Sequence, residues 1–142
     1  MVLLINVIGL SACRSIFPEM KDPLPDNPIV YKRGELYTDS DFGYVTVIND
    51  YKVYIVYGEI KAKKSGDTFY AFGECLGYIE GDKTDVIYSL LGESTDEWLI
   101  EYYQGYYIED LRPTPVVLRE ISTKGNDRIP DCVVSLDYDY WR

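Results

Sequence analysis

The chain reads as one small all-β domain, either a single antiparallel sandwich or a partly closed barrel. Three observations predict it. From about Ile29 onward, turn signals recur every 8–12 residues or so. Short segments rich in Tyr, Val and Ile fill the intervals between them. The 142 residues, 46% of them hydrophobic and 15 of them tyrosines, suit one domain with a real core and half-wet strand surfaces.

The turn signals are SDFG (40–43), NDYK (49–52), KKSGD (63–67), EGDK (80–83), GEST (92–95) and KGND (124–127). YVTVI (44–48) and KVYIVYGEI (52–60) face each other across Asn49-Asp50-Tyr51, so a hairpin is expected. Val53, Ile55 and Tyr57 fall on one face and Tyr54 and Val56 on the other. Apolar groups on both faces mark a central strand. TFYAFGECLGYIEG (68–81) carries Gly73, Gly77 and Gly81 on one parity. Such a strand bends or bulges, and a curled sheet follows. Glycines four apart also suit helix contacts within a membrane, but Glu74 and Glu80 exclude that.

STDEWLIEYY (94–103) supports two readings. Ser94 and Glu97 have capping-box spacing, and Trp98, Leu99, Tyr102 and Tyr103 recur at helical spacing. As a strand, Trp98, Ile100 and Tyr102 alternate with Leu99, Glu101 and Tyr103. The tyrosines and Ile100 decide for the strand, with one short helix near 95–103 as the alternative. CVVSLDYDYW (132–141) is expected to be the most regular strand. Cys132, Val134, Leu136, Tyr138 and Tyr140 would face the core, and Val133, Ser135, Asp137, Asp139 and Trp141 would face away.

The N-terminus bears on location. An apolar run, Val2–Leu10, leads into Leu10-Ser11-Ala12-Cys13. This ending resembles the lipobox of bacterial lipoproteins. The resemblance implies cleavage before Cys13 and a lipidated Cys13 thiol at the mature N-terminus. RSIFPEMKDPLPDNP follows, with four of the seven prolines between residues 18 and 28. Proline there blocks helix and central strand, so the segment reads as a tether. The expected layout is a signal peptide at 1–12, a Pro-rich tether at 13–28 and a β domain at 29–142. The location is then the cell envelope, with the protein lipid-anchored to a bacterial membrane and the lipid bilayer as its first partner. In the other reading, Leu3, Leu4, Ile5, Val7 and Ile8 form a buried strand of a cytoplasmic domain, which the lack of Lys or Arg ahead of the run favours. The apolar run is too short for a transmembrane helix, which needs about 20 residues. GECLGYIEGD, STDEWLIEYY and LRE (118–120) resemble segments of small uncharacterised exported bacterial proteins, and no activity comes with that likeness.

Charge bounds the partners. The net charge is −10, and residues 66–110 hold the whole imbalance, with eleven acids against Lys83 alone. This opposes nucleic-acid binding, which needs a basic footprint. It fits a basic protein or cationic ligand, or a solubility face. Glu80, Asp82, Asp85, Asp96 and Glu97, beside turns, are the candidate acidic recognition face. EGDKTD spaces its oxygens as calcium loops begin, but it lacks their turn glycine and late glutamate, so it reads as a hairpin turn.

There is no histidine, which removes His-based triads and zinc sites. No phosphate loop, nucleophile elbow or Cys-x-x-Cys occurs, so no catalytic residue, cofactor or metal ligand is assigned. Cys75 and Cys132 are either a disulfide of an exported protein or two buried thiols. EYYQGYY (101–107) and DYDYW (137–141) put aromatic rings beside carboxylates, as sugar-binding faces do and as edge-strand tyrosines do. Asp96 and Glu97 with Glu101 offer paired carboxylates for hydrolysis. Three functions compete: a lipid-anchored, non-enzymatic binding domain, an inhibitor or immunity-type protein covering a basic partner, and a His-free carboxylate glycoside hydrolase.

Overall fold

The computed structural model describes residues 24–39, 42–61, 71–103 and 115–142. The apolar N-terminal run, Cys13 and the KKSGD turn lie outside the described residues, as do residues 104–107 of EYYQGYY. The strands are β1 (Ile29–Asp39), β2 (Phe42–Asn49), β3 (Lys52–Ile60), β4 (Phe72–Ile79), β5 (Asp82–Leu90), β6 (Trp98–Tyr103), β7 (Val116–Glu120) and β8 (Val133–Ser135). Their order is β2-β1-β4-β5-β6-β7-β3, and β2 pairs back onto β3, so seven strands close into a barrel. One edge of β3 is lined by β7. Its other edge is shared, with β2 along Lys52–Tyr54 and β8 along Gly58–Ile60.

The expected antiparallel pairing holds at every junction but one. β1 and β4 run parallel, through Ile29↔Gly77, Val30↔Tyr78 and Tyr31↔Ile79. Closure needs this seam, because β1 returns beside a strand some fifty residues further along the chain. The β2–β3 hairpin forms as expected, with Asn49 paired to Lys52 and Asp50 at φ 53 in the two-residue turn. β4 is irregular, with three register shifts against β5. At Gly77 a Cβ would stand 1.8 Å from the Ile29 carbonyl oxygen, so only glycine lets β1 approach there.

Two apolar layers follow from strand alternation. Tyr31, Val47, Tyr54, Ile79, Ile87, Leu99 and Leu118 come one from each of the seven strands and fill the inside of the ring. The opposite parity, Val86, Tyr88 and Leu90 on β5, Trp98, Ile100 and Tyr102 on β6 and Val117 on β7, forms a second cluster on the outer face. It is covered by the C-terminal segment through Ile129, Cys132, Val133 and Trp141. Leu24 packs there too, so the folded unit takes in residues ahead of Ile29.

One expectation holds and one needs correction. The 94–103 segment is a strand from Trp98 with the expected alternation, and it is preceded by a turn rather than a helix. Trp98 and Glu97 both donate their N–H to the Ser94 carbonyl. The C-terminal strand is only three residues long; Cys132 keeps its expected core side, but Val133, Val134, Leu136 and Trp141 do not. Val133 and Trp141 pack on the core cluster, whereas Val134 and Leu136 are exposed. The strand stops because Asp137 takes φ 58, with its N–H held by the Ser135 hydroxyl at 3.0 Å. The chain then turns through a 3-10 segment, Asp139–Trp141, which brings the indole of Trp141 inward.

Candidate functional site

The most unusual chemistry lies inside the barrel. Asp85 on β5 shares the parity of Ile87, and Glu101 on β6 shares that of Leu99, so both acids point where apolar residues point. Arg33 on β1 stands two residues beyond Tyr31 and reaches across to both. Its Nη2 donates to Asp85 Oδ2 at 2.8 Å and also to Glu101 Oε2, while Nη1 donates to Glu101 Oε1 at 3.3 Å. The acids are buried, and Arg33 is 39% exposed, so the cluster meets solvent from the arginine side.

The balance of charge there is one cation to two acids. Burial, a hydrogen bond with Glu101 and the charge of Glu101 push the Asp85 carboxyl up to about 8, against the opposing pull of Arg33. Asp85 Oδ1 is buried and accepts no hydrogen bond. An oxygen so placed costs less as part of a neutral carboxyl than of a carboxylate. For Arg33, burial works against the charge, but hydrogen bonding to Glu101 and the charges of both acids hold the guanidinium above its ordinary value.

A buried cation marks the outer face. Arg119 on β7 is 3% exposed and lies 5.4, 5.0 and 5.3 Å from the ring centres of Tyr57, Trp98 and Trp141. It donates to the Thr123 carbonyl at 2.8 Å, the Asn126 carbonyl at 2.7 Å and the Thr123 hydroxyl at 3.2 Å. Its hydrogen-bond partners all belong to the segment after β7, so it fastens that segment to the barrel. A cleft of about 440 Å³ opens beside the same segment, lined by Leu91, Glu93, Arg128, Ile129, Pro130, Asp131 and Cys132, with Arg128 ion-paired to Glu93 at its edge.

The five acids expected on one recognition face are not brought together. Glu80 and Asp82 sit at the β4–β5 turn, at one end of the barrel, where Gly81 takes φ 90. Asp96 and Glu97 lie ahead of β6, at the opposite end. Asp85 is inside, because the β5 pleat turns it away from solvent. Asp96 is ion-paired with Lys52, and Glu97 lies 3.9 Å from Arg119 and accepts from Asn126. Nor do Asp96 and Glu97 share a cleft with Glu101, which faces the barrel interior beside Arg33. Asp82 Oδ1 accepts from Thr84, both N–H and hydroxyl, which is a hairpin-turn cap rather than a calcium loop. Among the described residues no group of three or more acids and cysteines is placed to hold a metal ion.

Cys75 and Cys132 are not joined to each other in a disulfide. They sit on β4 and just ahead of β8, strands that are not neighbours in the sheet, and both pack against the outer cluster. Among the described residues no helix is long and apolar enough to cross a membrane. Sequence reasoning missed Arg33 and Arg119. The available signal was period two: Arg33 shares a face with buried Tyr31, and Arg119 with buried Val117.

Comparison of the chain with protein-family models, with curated proteins and with solved structures finds no match.

Proposed function

We propose that this chain is an exported, non-enzymatic binding protein, held to a bacterial membrane by an acyl anchor on Cys13 and meeting a basic protein or cationic ligand with the outside of its barrel. The observation that carries the binding half is the filled interior. Val47, Ile87 and Leu99 are fully buried at the centre of the ring, so the surfaces left to a partner are the strand ends and outer faces. The charge of −10 favours a basic partner for those surfaces. Leu10-Ser11-Ala12-Cys13 and the prolines after it support the anchored half.

Cell fractionation tests the anchor. One acyl chain binds a bilayer only marginally, and two or more anchor it stably. Cys13→Ser should therefore shift the full chain from the membrane fraction to the soluble fraction. An unchanged distribution, or a mature protein that keeps Met1 by mass spectrometry, would refute the anchored reading. The binding half is tested by the salt dependence argued in the Discussion.

A further inference from the structure

We propose that Asp85, gripped together with Glu101 by the single Arg33 guanidinium inside the barrel, holds a proton, and that losing it as the pH rises loosens the β1 seam: the cluster is a histidine-free pH switch. The geometry carries this in three parts. Both carboxyls bond the same Nη2 of Arg33, which brings two acids together around one cation. Asp85 is 6% exposed, and its Oδ1 has no donor, so a second full negative charge there would be held by Arg33 through Oδ2 alone, on a cation already shared with Glu101. β1 meets β4 over three residue pairs only, ending at Tyr31↔Ile79. Beyond that point Arg33 ties β1 to β5 and β6 across the lumen.

The groups around Asp85 come from every neighbouring element that is described. β1 supplies Arg33, and β6 supplies Glu101 and, directly across the ladder, Tyr103. Its own strand supplies Asp82, whose charge adds to the upward push. β4 sets Tyr78 and Ile79 near the start of β5, and β7 places Val116 across from Glu101. Arg33 is the one cation among these groups that bonds the pair. When Asp85 ionises, solvating it requires water to enter past Arg33, the exposed member of the cluster, which pulls on the seam.

The sign follows from linkage. The Asp85 carboxyl is pushed from the ordinary aspartate range up to about 8 in the folded chain. The folded state therefore binds more protons than the unfolded state between about pH 4 and about pH 8. The stability from this proton is complete below the unfolded value and is lost as pH rises towards about 8. Histidine is the usual group that titrates in this range, and the chain has none.

Three measurements on the full chain test the switch. Carbon-13 NMR should show the Asp85 carboxyl titrating in one step near pH 8. An Asp85 midpoint below about 5 would overturn the proposal. Urea unfolding between about pH 5.5 and 8 should show the folding constant falling by up to about tenfold per pH unit. Asp85→Asn should flatten that profile, and so should Glu101→Gln, which also serves if the first variant fails to fold. An unchanged slope in a folded variant refutes the assignment. Hydrogen exchange, corrected for the chemical rate, should show Tyr31, Lys32 and Arg33 losing protection on going from pH 6 to 8.5 while Val117 and Leu118 keep theirs. Equal loss at both places refutes the seam.

Discussion

The Trp141 indole N–H donates to the Val56 carbonyl at 2.8 Å, across 85 residues of sequence. Val56 lies just before the register shift in β3, where the ladder to β7 skips Tyr57. Bulges leave backbone groups unpaired, and here the chain's penultimate residue satisfies one of them. The same indole packs edge-on against Tyr57 with ring centres 5.6 Å apart.

Trp141→Phe should therefore separate packing from hydrogen bonding. Phenylalanine keeps an aromatic ring but leaves the carbonyl bare, at a cost of about 1–2 kcal/mol. Trp141→Ala removes the ring as well, and for a half-buried tryptophan a total of about 2–4 kcal/mol is expected. Urea midpoints of the two variants check this. Equal loss in both would mean that the ring adds nothing beyond its hydrogen bond.

Arg119 is the centre of the C-terminal clasp. Both tryptophans of the chain touch it, so intrinsic fluorescence reports on it directly. Lysine cannot reproduce the forked contacts to Thr123 and Asn126 or the stacking of a planar cation. Arg119→Lys should destabilise the protein by about 2–4 kcal/mol and red-shift tryptophan emission as the strap lifts. Arg128→Lys, at an exposed ion pair with Glu93, should leave stability close to wild type. Similar losses in the two variants would remove Arg119 from its clasping role.

The parallel seam makes a steric prediction. Gly77→Ala drives a methyl group into the Ile29 carbonyl, backbone against backbone, and should cost about 3 kcal/mol or more or prevent closure. Gly125→Ala, with nothing within 4 Å, should be close to neutral. Thermal melts of both check it, and a wild-type-like melt for Gly77→Ala would contradict the β1–β4 pairing.

What the sequence made legible was local. Turn residues and period-two alternation located β2, β3, β4 and β6, because each depends on neighbours a few residues away. The parallel return of β1 beside β4 has no local mark. It is the product of closing a ring. The C-terminal segment misled for a related reason. Its apolar alternation fits a long strand, but Asp137 in the left-handed region and the Ser135 cap end the strand after three residues. The Arg33–Asp85–Glu101 cluster spans separations of 52 and 68 residues, and no spacing rule reaches so far. Its trace was a charge at a position where the pleat expects an apolar group.

The separation of the surface acids gives a test of partner binding that one continuous face would not allow. Glu80 and Asp82 lie at one end of the barrel and Asp96 and Glu97 at the other, so a partner of ordinary size engages one end at a time. Asp96 is already ion-paired with Lys52, and Glu97 is engaged by Arg119 and Asn126, so their charge is partly spent within the fold. Glu80 is exposed beside the turn glycine and so is the better placed to meet a cation. Exposed charges are screened beyond about 8–10 Å at physiological ionic strength, so binding by either end should weaken as salt rises. Retention on an immobilised lysine-rich peptide should fall in Glu80→Gln/Asp82→Asn and stay near wild type in Asp96→Asn/Glu97→Gln. The second variant should instead show a small loss of stability, about 1 kcal/mol, from the weakened contacts to Lys52 and Asn126. The reverse ranking would place recognition at the β5–β6 end. Retention that ignores salt in the wild type and both variants would remove the acids from recognition altogether and leave them as a solubilising surface.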